Sequence, residues 1–134
     1  MPLFGQEHVE RYRATDGEAG HEWRGTQTLL LTTKGRKSGE PRTTPLIYAP
    51  YGDAYAIVAS KGGSDAPPAW YLNLSADPEV EVQVKGDRFK ARARTASSEE
   101  KPGLWQTMVS EWPDYDNYQQ KTEREIPVVV LERA

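Results

Sequence analysis

Four short segments of this chain carry residue types that could do chemistry. The first is Gly35-Arg36-Lys37-Ser38-Gly39-Glu40-Pro41-Arg42, set between two apolar stretches. Its glycines permit a tight backbone path, and Lys34, Arg36, Lys37 and Arg42 crowd positive charge onto one connection. The whole chain has a net charge of -3, so this patch runs against the general balance. It reads as a site for an anionic small molecule. Cationic donors matched to phosphate or carboxylate oxygens contribute on the order of 1.5–3 kcal/mol each when desolvated, and backbone N–H groups of the turn add to this. It is not a P-loop, because Gly-x-x-x-x-Gly-Lys-Ser/Thr is absent and no helix pattern follows. The competing reading is an exposed hairpin with solubilising charge.

The second segment, Ser60-Lys61-Gly62-Gly63, directly follows a strand-like run. It is either a ligand-facing strand end, with Lys61 adding charge, or an ordinary flexible turn. The third is Pro68-Ala69-Trp70-Tyr71-Leu72-Asn73. A helix start with free N–H groups suits an anion, and Trp70 or Tyr71 could flank a planar ring, although one of the two is expected to be core. The fourth is Trp112-Pro113-Asp114-Tyr115-Asp116-Asn117-Tyr118. Tyr115 and Tyr118 lie three apart and share a face on a helix. A phenol directed into a cleft can donate a hydrogen bond to an oxygen that gains negative charge; alternatively the two rings pack a helix onto a sheet.

Composition removes several classes. There are no cysteines, so disulfides, thiolate catalysis and cysteine-ligated zinc are out. Only His8 and His21 offer imidazole, without metal-ligand spacing, and no metal site is expected. No Gly-x-Ser-x-Gly elbow or Ser/His/Asp set can be assembled. The remaining profile of binding groups, aromatic rings and phenols suits an enzyme whose difficult chemistry belongs to a cofactor. An isoelectric point near 5.4 argues against a general nucleic-acid binder. No apolar run approaches the roughly 18 residues that span a bilayer, and the start Met1-Pro2-Leu3-Phe4 lacks the basic head and apolar centre of a signal peptide.

These segments need elements to position them. At 134 residues, one domain over 1–134 is expected, with an N-terminal helix and loop over 1–25. Its mean hydropathy of -0.78 is polar, and four Trp with seven Tyr supply much of the apolar area. The patterning predicts a helix from His8 to Arg13 and strands over Gln27 to Thr33, Thr44 to Ala49 and Ala54 to Ser60. A short helix over Ala69 to Ser75 follows. Val80, Val82 and Val84 alternate with polar residues, then Phe89, Ala91 and Ala93 with Lys90, Arg92 and Arg94, predicting two half-buried strands joined at Lys85-Gly86. A helix starting at Ser97, a second over about Asp114 to Lys121, and a strand at Val128-Val129-Val130-Leu131 complete the chain. The last strand is apolar throughout, so both of its faces should be buried. The fold class is α+β: a split β-barrel of about six mostly antiparallel strands with peripheral helices.

The ordered segments, from Leu30-Leu31-Thr32-Thr33 and Gly35-Arg36-Lys37-Ser38-Gly39 through Thr44-Pro45-Leu46, Tyr55-Ala56-Ile57-Val58-Ala59-Ser60, Trp70-Tyr71-Leu72-Asn73 and Trp112-Pro113-Asp114-Tyr115 to Ile126-Pro127-Val128, resemble one family. It is the deazaflavin-dependent nitroreductase family, the coenzyme F420-dependent quinone reductases typical of actinobacteria. The resemblance covers about Gly25 to Leu131. It implies a split barrel that binds reduced deazaflavin (F420H2) and passes a hydride to a quinone-like or nitroaromatic acceptor. By position in the motif, Arg36, Lys37, Ser38 and Arg42 would contact the cofactor's phosphate and glutamate tail. Thr43, Thr44, Pro45, Leu46 and Ile47 would line the cofactor, with Val58, Ala59, Ser60 and Lys61 and with Ala69, Trp70, Tyr71, Leu72 and Asn73. Tyr115 would act near the reacting ring, and Ser60, Trp112 and Tyr118 would shape the substrate side. The lack of a spanning run and of a signal-peptide pattern predicts a cytoplasmic protein. The resemblance, in which the part before Gly25 is shorter than in membrane-associated members, implies at most peripheral contact at the inner face of the plasma membrane. Split barrels of this kind are often dimers.

Three other readings keep parts of this pattern: an FMN-binding split-barrel oxidoreductase, a non-catalytic deazaflavin-binding protein, and a small β-barrel nucleic-acid module supported only by Lys90, Arg92 and Arg94.

Overall fold

A computed structural model describes residues 5–134; the leader reading made on Met1–Phe4 concerns residues outside that range. Helix α1 (Gly5–Thr15) is followed by strands β1 (Glu22–Trp23), β2 (Thr26–Lys34), β3 (Pro41–Ile47), β4 (Ala49–Tyr51) and β5 (Ala54–Val58). A 3-10 turn (Lys61–Gly63) leads to α2 (Ala69–Ala76), then β6 (Glu79–Val84), β7 (Asp87–Thr95), α3 (Lys101–Glu111), α4 (Asp114–Gln120) and β8 (Val128–Arg133). All strand pairs are antiparallel, in the order β1-β2-β6-β7-β8-β5-β4, with β3 on the other side of β2. The six long strands are those predicted, and the fold is the expected α+β split barrel. The short strands β1 and β4 were not foreseen, because two or three residues are too few to show a period.

Strand β8 explains the architecture. It lies between β5 and β7, and its continuous apolar run serves two cores. Val129 and Leu131 face inward with Leu29, Leu31, Ile57, Val80 and Val82. Val128 and Val130 face outward and lie under Leu104 and Met108 of α3 and Tyr115 of α4. Val9 and Tyr12 of α1 form a smaller cluster with Leu30. The buried Tyr12 hydroxyl donates to the Thr28 carbonyl (3.0 Å) and accepts from the Lys85 N–H (2.7 Å), tying α1 to strand β2 and to the turn between β6 and β7.

Three boundaries differ from the sequence reading, each for a local reason. Strand β3 begins at Pro41, so Arg42 and Thr43 belong to a strand and the basic turn shrinks to 35–40. Its prolines are tolerated because β3 is bonded on one side only, to β2. Regular helix α3 begins at Lys101, after a preceding turn closed by a reciprocal capping box: Glu100 N–H donates to Ser97 Oγ (3.2 Å) and Ser97 N–H to Glu100 Oε1 (3.1 Å). The Glu100 carboxylate also receives both Arg94 Nη atoms (2.6 and 2.9 Å) and the Tyr51 hydroxyl (2.8 Å). Arg94 foremost, then the Ser97 N–H and Tyr51, hold that carboxyl far below the usual carboxylate range. Finally, β5 ends at Val58, leaving Ser60 on a turn.

The basic face of β7 is matched by acidic residues on its neighbour. In register, Arg92 sits opposite Glu79 and Lys90 opposite Glu81, so the sheet sets a carboxylate beside each of those cations.

Leu131 is fully buried in the inner core. Leu131→Ala should therefore lower unfolding stability by about 2–5 kcal/mol, seen as a reduced denaturant midpoint with an unchanged slope; a loss within measurement error would contradict the two-faced burial of β8.

Candidate active site

The turn after β2 is built by its glycines. Gly35 N–H donates to the Glu40 carbonyl (2.8 Å) and Gly39 N–H to the Gly35 carbonyl (2.8 Å). Gly39 has φ 73, and a Cβ on Gly35 would come within 2.6 Å of Ser38 Oγ. That hydroxyl accepts from the Glu40 N–H (3.2 Å), so Ser38 braces the turn as well as lining the groove beside it.

Asn73 fixes the turn in space. It is 4% exposed, and its Oδ1 accepts from both the Arg36 N–H (3.2 Å) and Arg36 Nη1 (2.9 Å). Its Nδ2 donates to Thr33 Oγ1 (3.2 Å). A neutral amide thus orients the guanidinium without cancelling its charge. Arg13 of α1 is oriented in the same way, donating to Thr43 Oγ1 (2.8 Å), which shares a hydrogen bond with Thr32 Oγ1 (2.8 Å).

These residues line a groove of about 620 Å³ that contains Arg13, Arg36, Lys37 and Arg42 and no carboxylate among its described lining residues. The nearest acid is Glu40, 3.8 Å from Arg42 in a pair that is more than half exposed on both sides and contributes little. Thr43, Thr44, Ala69, Trp70 and Asn73 complete the wall.

A second cavity of about 520 Å³ adjoins the first and shares Thr44 and Trp70 with it. Pro45, Leu46 and Ile47 of β3 form one wall, and Val58, Ser60, Lys61 and Gly62 form another. Trp112, Tyr115 and Tyr118 close it from α4 and the residues before it. Its described lining holds no carboxylate, and Lys61 is its one lysine or arginine. The Tyr115 and Tyr118 rings meet edge-on with centroids 6.0 Å apart, and Trp112 Nε1 donates to the Tyr118 hydroxyl (3.2 Å).

Tyr115 is 5% exposed, packed on Leu104, Met108 and Trp105. Its hydroxyl takes no hydrogen bond from the described residues, although the residue lines the cleft. Burial, reinforced by the neighbouring Tyr118, pushes its pKa well above the ordinary phenol value. The phenol therefore keeps its proton throughout the neutral range and is available to donate a hydrogen bond.

Of the residues assigned from the sequence to the cofactor or the acceptor, Ala59, Tyr71 and Leu72 do not line either cavity. Ala59 points into the inner core, because inward and outward positions alternate along the strand end. Tyr71 is half-buried, packs against that core from outside and hydrogen-bonds Thr95 Oγ1 (3.0 Å), whereas Trp70 is the core member of the pair and also borders both cavities. Leu72 is exposed on α2. Conversely, Gln6, Arg13, His8, Trp23 and Thr28 line the cavities without having been singled out. They come from the segment before Gly25 or from mid-strand, where no local motif marks them. Trp23 meets Trp112 with centroids 5.7 Å apart.

The contiguous pair of cavities fits a cofactor with a flat ring and an anionic tail: rings line one, unopposed cations the other. Comparison with known proteins agrees. Residues 4–133 match the family model of the F420H(2)-dependent quinone reductases. An F420H(2)-dependent quinone reductase of Mycobacterium tuberculosis (Rv1261c) is 47% identical over 130 residues, 94% of this chain and 87% of that protein. A solved F420-H2 dependent reductase (FDR-A) superposes with TM-score 0.73 at 42% identity, over 78% of this chain and 93% of that one. A solved domain-swapped dimer does so with TM-score 0.76 at 39% identity, over 95% and 96%. On the shared sequence and fold, the chain belongs to the F420H(2)-dependent quinone reductase family.

Proposed function

We propose that the chain acts as one domain that binds reduced coenzyme F420 and reduces a quinone-like acceptor. The observation that carries this is the continuity of the carboxylate-free cationic groove with the aromatic cleft through Thr44 and Trp70. Bound reduced deazaflavin supplies the hydride. Arg36, Lys37 and Arg42, with Arg13, hold phosphate and carboxylate oxygens of the tail. Asn73 presents Arg36 in its binding orientation before any ligand arrives, which lowers the ordering cost of binding. Thr44 to Ile47, Val58, Ser60, Lys61 and Trp70 form the walls that seat the flat ring.

Tyr115 is the catalytic residue of this reading. Its protonated hydroxyl donates to the acceptor oxygen as charge gathers there, in a cleft whose apolar walls exclude water and strengthen that bond. Trp112, Tyr118 and Ser60 bound the acceptor side. A quinone is planar and gains charge on oxygen, matching both the ring-lined walls and the phenol. Nitroaromatics share these two properties and are proposed as alternative acceptors. The domain-swapped relative supports a homodimeric assembly.

Anaerobic mixing of the protein with F420H2 and a quinone panel, followed by the cofactor's visible absorbance, tests the reading. Cofactor oxidation only when quinone is present is expected; tight binding without oxidation would leave a carrier. Tyr115→Phe should lower kcat by about 10- to 100-fold with cofactor affinity preserved, and equal turnover would remove the assigned role. The double variant Arg36→Ala with Lys37→Ala should weaken cofactor binding by roughly tenfold or more at low salt, with the difference shrinking as salt rises. An unchanged titration would show that the groove is not the tail site.

A further inference from the structure

The cleft wall between β5 and α2 has an unusual backbone. Lys61, Gly62 and Gly63 are three consecutive residues in the left-handed region, with φ 47, 64 and 87. Glycine adopts that region freely, but a lysine there is strained and persists only where its surroundings hold it. Ser60, Lys61 and Gly62 all line the cleft, so whatever holds this stretch also shapes the site.

The holding groups come from the segment between α4 and β8. Arg124 Nε donates to the Ser64 carbonyl (2.8 Å), and its Nη2 donates to the carbonyls of Ser60 (2.9 Å) and Ala59 (3.2 Å). One planar guanidinium therefore grips both ends of the left-handed stretch, a task its fixed fork suits and an ammonium does not. Thr122 Oγ1 donates to Asp65 Oδ1 (2.7 Å), fastening the same turn one residue further on. Arg124 is itself anchored: its carbonyl accepts from Gln119 Nε2 (2.8 Å), and Gln119 Oε1 accepts from the Ile126 N–H (2.9 Å). Gln119 lies on α4, the helix that carries Tyr115 and Tyr118. Close packing completes the unit, since a Cβ on Gly63 would stand 2.7 Å from the Tyr118 carbonyl oxygen.

We propose that Arg124 is a positioning residue for the reaction: it locks the Ser60–Gly62 wall of the cleft to the helix that bears the Tyr115 phenol. Arg124 is not among the residues lining the cleft and acts through backbone carbonyls. It sets the distance between the wall that seats the ring and the donor that serves the acceptor. This role rests on the cleft being the reaction site proposed above. The basic groove holds the anionic tail through other residues, so loss of Arg124 separates cofactor capture from turnover.

The test compares Arg124→Ala, Arg124→Lys and wild type, each checked for folding by circular dichroism. Native-state amide exchange is read at Gly63 and Ser64, whose N–H groups bond to the Ser60 and Lys61 carbonyls (3.0 and 3.2 Å). Arg124→Ala should exchange there about tenfold faster or more, while amides of β8 stay at their wild-type rates. With saturating F420H2 its kcat should fall by about 10- to 100-fold, with a much smaller loss of cofactor affinity, since the tail groove is untouched. Added guanidinium should restore part of the turnover of Arg124→Ala and none of Tyr115→Phe. Arg124→Lys, which keeps the charge without the fork, should fall between the two. If Arg124→Ala does not fold, Arg124→Gln takes its place in every arm. Wild-type exchange at Gly63 and Ser64, or a loss of turnover that neither guanidinium nor the lysine variant relieves, overturns the role. An inactive wild-type protein overturns the functional reading and this role with it, whereas an active wild type beside an indifferent Arg124→Ala overturns this role alone.

Discussion

A strand that is apolar on every residue must be covered on both faces, and β8 imposes that demand on the whole molecule. Its inward residues need the curled sheet to close around them, which sets Leu29, Leu31, Ile57, Val80 and Val82 into one core. Its outward residues need a second layer, which α3 and α4 supply through Leu104, Met108 and Tyr115. The placement of the phenol is a by-product of that second requirement. The chain entering β8 also runs past the end of β5, where Ala59 N–H donates to the Pro127 carbonyl (3.0 Å). Strand burial and cleft geometry are thus determined by the same few residues.

The second organising constraint is electrostatic. Four cationic side chains line one groove with no acid among its described lining residues, an arrangement that repels itself until an anion arrives. Elsewhere the protein balances its charges: Glu79 and Glu81 face Arg92 and Lys90, Arg94 meets Glu100 and Glu132, and Arg133 meets Asp87. In the groove, neutral partners do the orienting instead, Asn73 for Arg36 and Thr43 for Arg13. The positive potential is preserved while the side chains lose little freedom on binding. A ligand that supplies the missing negative charge stabilises the folded state by mass action.

Burial decides the chemistry available to Tyr115. Desolvation raises its pKa further above neutrality, so the group stays a protonated phenol with its O–H available to a bound acceptor. A donor in an apolar, ring-lined cleft favours an acceptor whose oxygen becomes negative as it is reduced, and a flat one. A quinone, the acceptor in the family's name, has both properties.

The sequence by itself determined the elements with strong periods and the motif that bears charge: the alternating pair β6–β7, the apolar β8, the glycine-built turn of Arg36 and Lys37, and the face shared by Tyr115 and Tyr118. Local physics governs each of these, since side-chain alternation, glycine freedom and helical spacing act within a few residues. Tertiary structure alone decided that Arg13, from the first helix, joins the cationic groove, that Asn73 orients Arg36 across 37 positions, and that Arg124 spans to the turn at Ser60–Ser64. It also decided that Trp70 is buried in the inner core while still bordering both cavities, and that Tyr71 packs at the edge of that core. These depend on which distant segments the closed sheet brings together, and a hydrogen bond between residues so far apart leaves no period or spacing to read in one chain.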